Sequence, residues 1–273
     1  MKSIMKKWLR QIIERSGRVV LRREDWQNAQ IELNRHSQTI RALYGLMRET
    51  ACPTLPPLSD DRLSALGGLR GISVTQGIYL IEMMCKTAHL PGVVCEMGVA
   101  QGATSHLLAQ ELRDGGRDLW LFDSFQGLPA PTEKDELIND IFGLGSMDRY
   151  AGAMQCPRSL VEENLRRSGL DLSRSRIVEG FFNEQTPASA DLPQRCSFAF
   201  VDFDLYQPIQ DALDYLDRAL DIGGYIAVHD YGFFSSGAQA AVDEFQRKHS
   251  RAFELSFPHE IARGMAILKR VDR

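Results

Sequence analysis

The spacing of apolar residues along this chain changes period several times, and each change marks a predicted element. Near the start, Ile4, Met5, Trp8, Leu9, Ile12 and Ile13 recur four apart, which stacks them on one helical face. Lys6, Lys7, Arg10, Gln11, Glu14 and Arg15 fill the opposite face, and Gly17 weakens the helix just beyond. A second helix is predicted from about Trp26 to Met47, with Ile40, Leu43, Tyr44 and Met47 on a common side. The adjacent prolines of Cys52-Pro53-Thr54-Leu55-Pro56-Pro57 cannot continue a helix, so this stretch reads as a linker. It divides a helical extension over residues 1–58 from a single domain over 59–273.

From Ser73 onward helical and strand patterns alternate. Helices are predicted over Gln76 to Ala88 with Thr75 as N-cap, Ala103 to Leu112, Leu160 to Ser168, Pro208 to Leu220 and Gly237 to Lys248. Short apolar runs suited to buried strands lie at Val93 to Cys95, Leu119 to Phe122, Arg176 to Val178, Phe198 to Val201 and Tyr225 to Val228. Two late strands follow, around Phe253-Glu254-Leu255 and Met265 to Leu268. Such repetition specifies an α/β fold, a mostly parallel sheet covered on both faces. The segment from Ser124 to Pro157 has little periodicity, and a loop of that length in a compact domain reads as a lid.

In an open α/β sheet ligands sit outside the carboxyl ends of the strands, where strand order reverses. Glu96, Asp123, Asp202 with Asp204, and Asp230 all fall at predicted strand ends, so they would converge on one rim. The first loop, Glu96-Met97-Gly98-Val99-Ala100-Gln101-Gly102, has glycines where the backbone must turn sharply and approach a ligand closely. Its spacing is not that of a pyrophosphate-binding loop, and no basic residue lies nearby in sequence. A nucleoside without phosphate is therefore favoured, its charge met by Glu96 and its ribose hydroxyls by Asp123.

Composition narrows the class. The 273 residues are 44% hydrophobic and 25% charged, with no apolar run long enough for a membrane span, so a soluble protein is expected. The net charge of -4 argues against nucleic acid as a partner. That average hides +6 in the first 24 residues, where eight Lys or Arg face Glu14 and Glu24. The spaced apolar residues of this start do not read as a signal peptide. Five widely separated cysteines without a CxxC pattern indicate free, mostly buried thiols and a cytoplasmic setting.

The motifs Val94-Cys95-Glu96-Met97-Gly98-Val99-Ala100-Gln101-Gly102, Phe122-Asp123-Ser124-Phe125-Gln126-Gly127-Leu128-Pro129, Gly180-Phe181-Phe182 with Thr186-Pro187, Asp202-Phe203-Asp204-Leu205-Tyr206, Gly223-Gly224-Tyr225 and His229-Asp230-Tyr231-Gly232 occur in this order. Together they resemble class I S-adenosylmethionine-dependent methyltransferases, and within them the macrocin O-methyltransferase (TylF-like) family. The resemblance runs from about Ser73 to Lys269 and leaves the first 50 residues outside. It implies a Rossmann-like fold with a seven-stranded sheet whose last strand is antiparallel. It also implies methyl transfer from S-adenosyl-L-methionine to a hydroxyl, often on a sugar of a glycosylated natural product or a glycan, assisted by a divalent metal. Carried over by position, Glu96, Gly98, Gly102, Asp123, Ser124, Phe182 and Asp202 would hold the cofactor, with Phe182 near the adenine. Asp202 would ligate the metal and Asp204 would act as general base.

Where the family has an Asp-Asp pair for the remaining metal ligands, this chain reads His229-Asp230. Imidazole suits manganese, iron or zinc better than magnesium. Three outcomes stay open: Mg2+ retained with a weaker ligand, a shift toward Mn2+, or loss of metal dependence with His229 as the catalytic base. A catechol-like acceptor, or a cofactor-binding scaffold that has lost catalysis, are the rival readings. Asp148, Arg149 and Tyr150 in the lid and His259 with Glu260 in a late loop are candidates for acceptor contact, whereas His106 reads as packing. The basic N-terminal helix is expected to serve homo-oligomer formation or core docking, with peripheral contact to an anionic membrane as its alternative.

Overall fold

The computed structural model describes residues 23–167, 172–183, 185–186 and 191–272. The amphipathic helix expected at the start lies, up to residue 22, outside the described residues. Seven strands form one sheet: β1 (Val93–Met97), β2 (Leu119–Asp123), β3 (Ser175–Glu179), β4 (Cys196–Val201), β5 (Leu220–His229), β6 (Phe253–Ser256) and β7 (Met265–Arg270). Their order is β3-β2-β1-β4-β5-β7-β6. The first five pair in parallel, and β7 runs antiparallel between β5 and β6. The fold is thus the α/β arrangement expected, with the last strand of the chain reversed. No helix among the described residues is long and apolar enough to cross a membrane.

Among the described residues seven α-helices accompany the sheet: α1 (Arg23–Thr50), α2 (Asp60–Gly67), α3 (Val74–Lys86), α4 (Ala103–Leu112), α5 (Arg158–Arg167), α6 (Tyr206–Ala219) and α7 (Ser236–His249). Alternation along the strands divides the core between the two faces. Val94, Leu119, Leu121, Phe198 and Phe200 pack with α1 to α5, while Cys95, Met97, Phe122, Val201 and Val228 pack with α6 and α7. The central strand β4 is buried at every position, which is why its sequence is apolar apart from Ser197, whose buried hydroxyl donates to the Gly92 carbonyl. All five cysteines are free thiols and four are buried.

Several boundaries differ from the sequence reading for local reasons. The cap of α3 is Ser73 and not Thr75, because the Gln76 amide donates to Ser73 Oγ while the Ser73 amide donates to Gln76 Oε1, a closed capping box. Thr75 instead donates its hydroxyl proton to the Ile261 carbonyl at 2.6 Å. Helix α6 starts two residues before Pro208, whose missing N–H is no loss in a first turn.

The proline-rich stretch expected as a linker is fastened to the domain body. Cys52 and Leu55 are buried in the same core as Ile40, Tyr44 and Met47 of α1. The Tyr44 hydroxyl donates to the Pro56 carbonyl at 2.7 Å, and the Thr54 amide donates to buried Glu82, itself paired with Lys86. Beside it, Arg62 of α2 makes a two-pronged bond to Glu111 of α4, at 2.7 and 2.8 Å, with the two side chains only 14% and 7% exposed. Prolines end the helix here, but the residues between them still bury apolar surface.

Truncating one partner of a buried ion pair strands the other without solvation. Glu111→Ala is therefore expected to cost roughly 3 kcal/mol in urea unfolding, and the double change Arg62→Met with Glu111→Leu to restore most of it.

Candidate active site

The carboxyl ends of β1, β2, β4 and β5 open onto one cavity of about 590 Å³. Sheet order reverses between β1 and β4, so the loops after these strands diverge and leave the crevice between them. Gly98 turns out of β1 at φ +98°, and a Cβ there would stand 2.0 Å from the Asp202 carbonyl oxygen. Only glycine fits that crossing. Gly102, at φ +78°, is the residue from which α4 springs.

Asp123 at the end of β2 shapes the same loop. Its Oδ2 accepts the amides of Val99 (2.7 Å) and Ala100 (3.0 Å), and its Oδ1 accepts that of Phe125 (2.7 Å). The carboxylate expected to meet ribose hydroxyls thus first holds the glycine loop in its turn. Ser124 bends the next loop, donating to the Gly127 carbonyl and accepting from the Gln126 amide. Glu96 is 1% exposed, lines the cavity, and neither of its carboxyl oxygens has a hydrogen-bond partner. Burial pushes its pKa well above the carboxylate range, with Ser105 opposing and the charges of Asp202 and Asp123 adding to the rise.

Asp202, Asp204, His229 and Asp230 form the second cluster. His229 Nδ1 lies 2.9 Å from Asp202 Oδ1 and 3.2 Å from Asp230 Oδ1. Burial disfavours its charge, but Asp202 and then Asp230 outweigh this and lift its pKa to about 9. Asp204 lines the cavity while protein encloses its other sides. Burial, then the charges of Asp202 and Asp230, hold its carboxyl well above the usual range. Asp230 is raised as well, by burial first, with His229 opposing. His229 thus stands between two of the carboxyl groups. One donor atom each from Asp202, His229 and Asp230 lies within 4.8 Å of the others, a set that fits a divalent ion of intermediate softness.

Backbone strain gathers here. Ala100, Phe125, Met154, Asp204 and Asp230 are the non-glycine residues with positive φ among those described, and all but Phe125 line the cavity. Asp204 is held at φ +62° by fully buried Ser235, whose hydroxyl donates to the Asp204 carbonyl at 2.9 Å and accepts the Gly237 amide.

The segment expected as a lid is a closed loop with a core of its own. Its ends meet where the Leu128 and Gly152 amides bond across, to Ala153 and Leu128. Leu128, Met147, Tyr150, Leu205 and Phe234 pack beneath it. Asp135, 5% exposed, accepts the amide and hydroxyl of Thr132 and, through Oδ1, the Tyr206 amide at 2.8 Å. Ser236 then exchanges bonds with Lys134 and Glu136, and the Ile138 amide reaches the Phe234 carbonyl. Beyond this zipper Ile141, Phe142 and Phe233 wall the cavity, each about half exposed.

Each residue assigned from the sequence as cofactor, metal or base, Glu96, Gly98, Asp123, Ser124, Phe182, Asp202, Asp204, His229 and Asp230, lines this one cavity, except Gly102. Phe182 sits edge-on to Phe122 and against Phe203 and Tyr215, so much of its ring belongs to the core, while Phe181 is the more exposed ring. Among the acceptor candidates Tyr150 is fully buried, its hydroxyl donating to Asp140, and therefore cannot touch an acceptor. Asp148, Arg149, His259, Glu260 and His106 do not line the cavity. Sequence reading missed Asp135 and Ser235, one charge in a charged stretch and one serine before a helix. It also found no basic residue near the glycine loop, yet Arg70, distant in sequence, lines the cavity.

Comparison with known proteins bears on this geometry. The model of the macrocin O-methyltransferase (TylF) family matches residues 79–256, well over half of the chain. The chain belongs to that family. It is 31% identical over 173 residues to mycinamicin III 3''-O-methyltransferase of Micromonospora griseorubida, covering 61% of this chain. It is 28% identical over 174 residues to an 8-demethyl-8-(2,3-dimethoxy-alpha-L-rhamnosyl)-tetracenomycin-C 4'-O-methyltransferase of Streptomyces olivaceus, covering 63%. The chain spans 65% and 64% of the lengths of these two relatives. Among solved structures the O-methyltransferase NovP superposes with a TM-score of 0.60 over 87% of this chain and all of its own, at 22% identity, which shows a shared fold.

A side chain at position 98 meets backbone, which cannot move aside. Gly98→Ala is expected to lower unfolding free energy by on the order of 3 kcal/mol. Gly102→Ala, whose Cβ would meet only Val161 Cγ1 at 3.1 Å, should cost roughly 1 kcal/mol in the same urea titration.

Proposed function

With membership of the macrocin O-methyltransferase family as premise, we propose that this protein transfers a methyl group from S-adenosyl-L-methionine to a sugar hydroxyl of a glycosylated small molecule or glycan. The observation that carries this reading is the meeting, in one cavity, of an orphaned buried carboxyl and an acidic cluster. Glu96 stands alone at the end of β1, and Asp202, Asp204 and Asp230 gather around His229 at the ends of β4 and β5. Names of relatives that methylate sugars of natural products support the acceptor class.

The residues fit a sulfonium nucleoside. Glu96 offers a carboxyl unpaired inside the fold, Asp123 keeps lone pairs beyond its three backbone bonds, and Phe181 and Phe182 offer ring surface. Asp202, His229 and Asp230 would hold the divalent ion, with Mn2+ favoured over Mg2+ because one donor is an imidazole. When bound, the cofactor supplies an electrophilic methyl on positive sulfur, and the ion supplies Lewis acidity that makes the acceptor hydroxyl easier to deprotonate.

The chain's own residues do the rest. Asp204 takes the hydroxyl proton as the acceptor oxygen bonds to the methyl carbon and the carbon–sulfur bond breaks toward sulfur. Burial and the charges of Asp202 and Asp230 raise its pKa, and a divalent ion held by Asp202, His229 and Asp230 would offset those charges and leave the carboxylate free to accept the proton. Ser235 and the Asp135–Tyr206 bond fix the Asp204 loop, so the base stands ready without reorganisation. Apolar Ile141, Phe142 and Phe233 exclude water on the acceptor side.

Asp204→Asn should lower the single-turnover methyl-transfer rate about 10²- to 10⁴-fold, with S-adenosyl-L-homocysteine affinity by calorimetry changed only a few-fold. After chelation and dialysis, Mn2+ is expected to restore activity more fully than Mg2+. A full rate in the presence of chelator would remove the ion from the reaction and leave His229 as the base.

A further inference from the structure

We propose that Arg70 is a carboxylate clamp at the cavity mouth, binding the amino-acid end of the methyl donor; this rests on the cofactor reading above. Among the described residues that line the cavity, Arg70 is the only Arg or Lys, against Glu96, Asp123, Asp202, Asp204 and Asp230. A wall so rich in acceptor oxygens suits the donor's sulfonium and ammonium, whereas its carboxylate needs free N–H donors. His229 Nδ1 already faces Asp202 and Asp230, so Arg70 is the cationic side chain that offers them.

Arg70 lies in the turn between α2 and α3. Its Nη1 donates to the Leu69 carbonyl at 2.7 Å and more weakly to that of Gly68 at 3.4 Å. These bonds set the guanidinium in place and leave the Nε and Nη2 hydrogens without a protein acceptor among the described residues. Other arginines are differently employed: Arg41 pairs with Asp60, Arg62 with Glu111 and Arg113 with Asp61. Arg70 forms no ion pair with a described carboxylate.

The backbone around it is anchored. Gly71, at φ +81°, also lines the cavity, and the space where its Cβ would project is open. The Ser73 capping box and the bonds from Thr75 and Gln76 to the Ile261 and Arg263 carbonyls fix the start of α3 just beyond. A planar guanidinium with donors to spare, on a fixed turn, is built to take a carboxylate oxygen by oxygen. Arg70 also lies outside the stretch that the family model matches, so the assignment belongs to this chain's own residues.

The test is calorimetric titration of the full chain and of Arg70→Gln and Arg70→Lys with S-adenosyl-L-homocysteine and with its decarboxylated counterpart. The unsubstituted protein should prefer the carboxylate-bearing ligand at least about tenfold. Arg70→Gln should narrow that preference to about twofold, by weakening S-adenosyl-L-homocysteine alone, and Arg70→Lys should fall between. Unchanged affinity for the decarboxylated ligand shows that the variant is folded. A preference that survives Arg70→Gln overturns the proposal. So does an effect confined to the KM of an acidic acceptor, which would give the clamp to the acceptor instead. Failure of the unsubstituted protein to bind either ligand would overturn the cofactor reading rather than the role of Arg70.

Discussion

At the centre of the sheet the Asp202 amide donates to the Met97 carbonyl at 2.7 Å, and Gly98 passes the Asp202 carbonyl with no room for a side chain. This is the last bond between β1 and β4 before their loops part. It brings the glycine loop and the acidic loop together at their roots, so that the Glu96 and Asp204 sides of the cavity share one backbone reference. Displacing Gly98 would shift Asp202, and with it the carboxylates around His229. The Asp123 bonds to Val99 and Ala100 brace the crossing from the other side.

The site gives up stability to be ready. Glu96 buried without a partner, Asp204 and Asp230 in left-handed backbone, and three carboxyls with raised pKa are each costly features. They persist because the surrounding structure over-determines them. Ser235 is fully buried, Asp135 is nearly so, and the two faces of the sheet are filled by apolar cores that do not depend on the site.

Much of this was legible in the sequence, because regular elements follow from local pattern. The strand runs and helical periods gave the alternation, and the strand-end rule gathered Glu96, Asp123, Asp202, Asp204 and Asp230 correctly onto one rim. What escaped has a common cause. Arg70, Asp135 and Ser235 act through partners far away in the chain, and nothing in their neighbours announces it. Asp135 sits in the charged run Glu133-Lys134-Asp135-Glu136, where one buried member looks like the others. Tyr150 was misjudged in the opposite sense: an aperiodic loop gave no hint that it folds around a core and takes this ring inside. The proline-rich stretch near Cys52 is similar, since proline reports where a helix ends and not whether the chain leaves the surface.

The zipper that joins residues 132–138 to Phe234, Ser235 and Ser236 separates two inheritances within one loop. The zipped part is tied to the Asp204 loop through Asp135 and Tyr206, and its sequence is constrained by bonds to backbone. The part from about residue 139 to 152 closes on itself through Leu128 and Gly152 and carries Ile141 and Phe142 to the cavity wall. Within that outer turn Met147 and Tyr150 are fixed by packing on Leu205 and Phe234, whereas half-exposed Ile141 and Phe142 are the positions freest to change. The cavity wall can therefore be exchanged there while the mooring is kept.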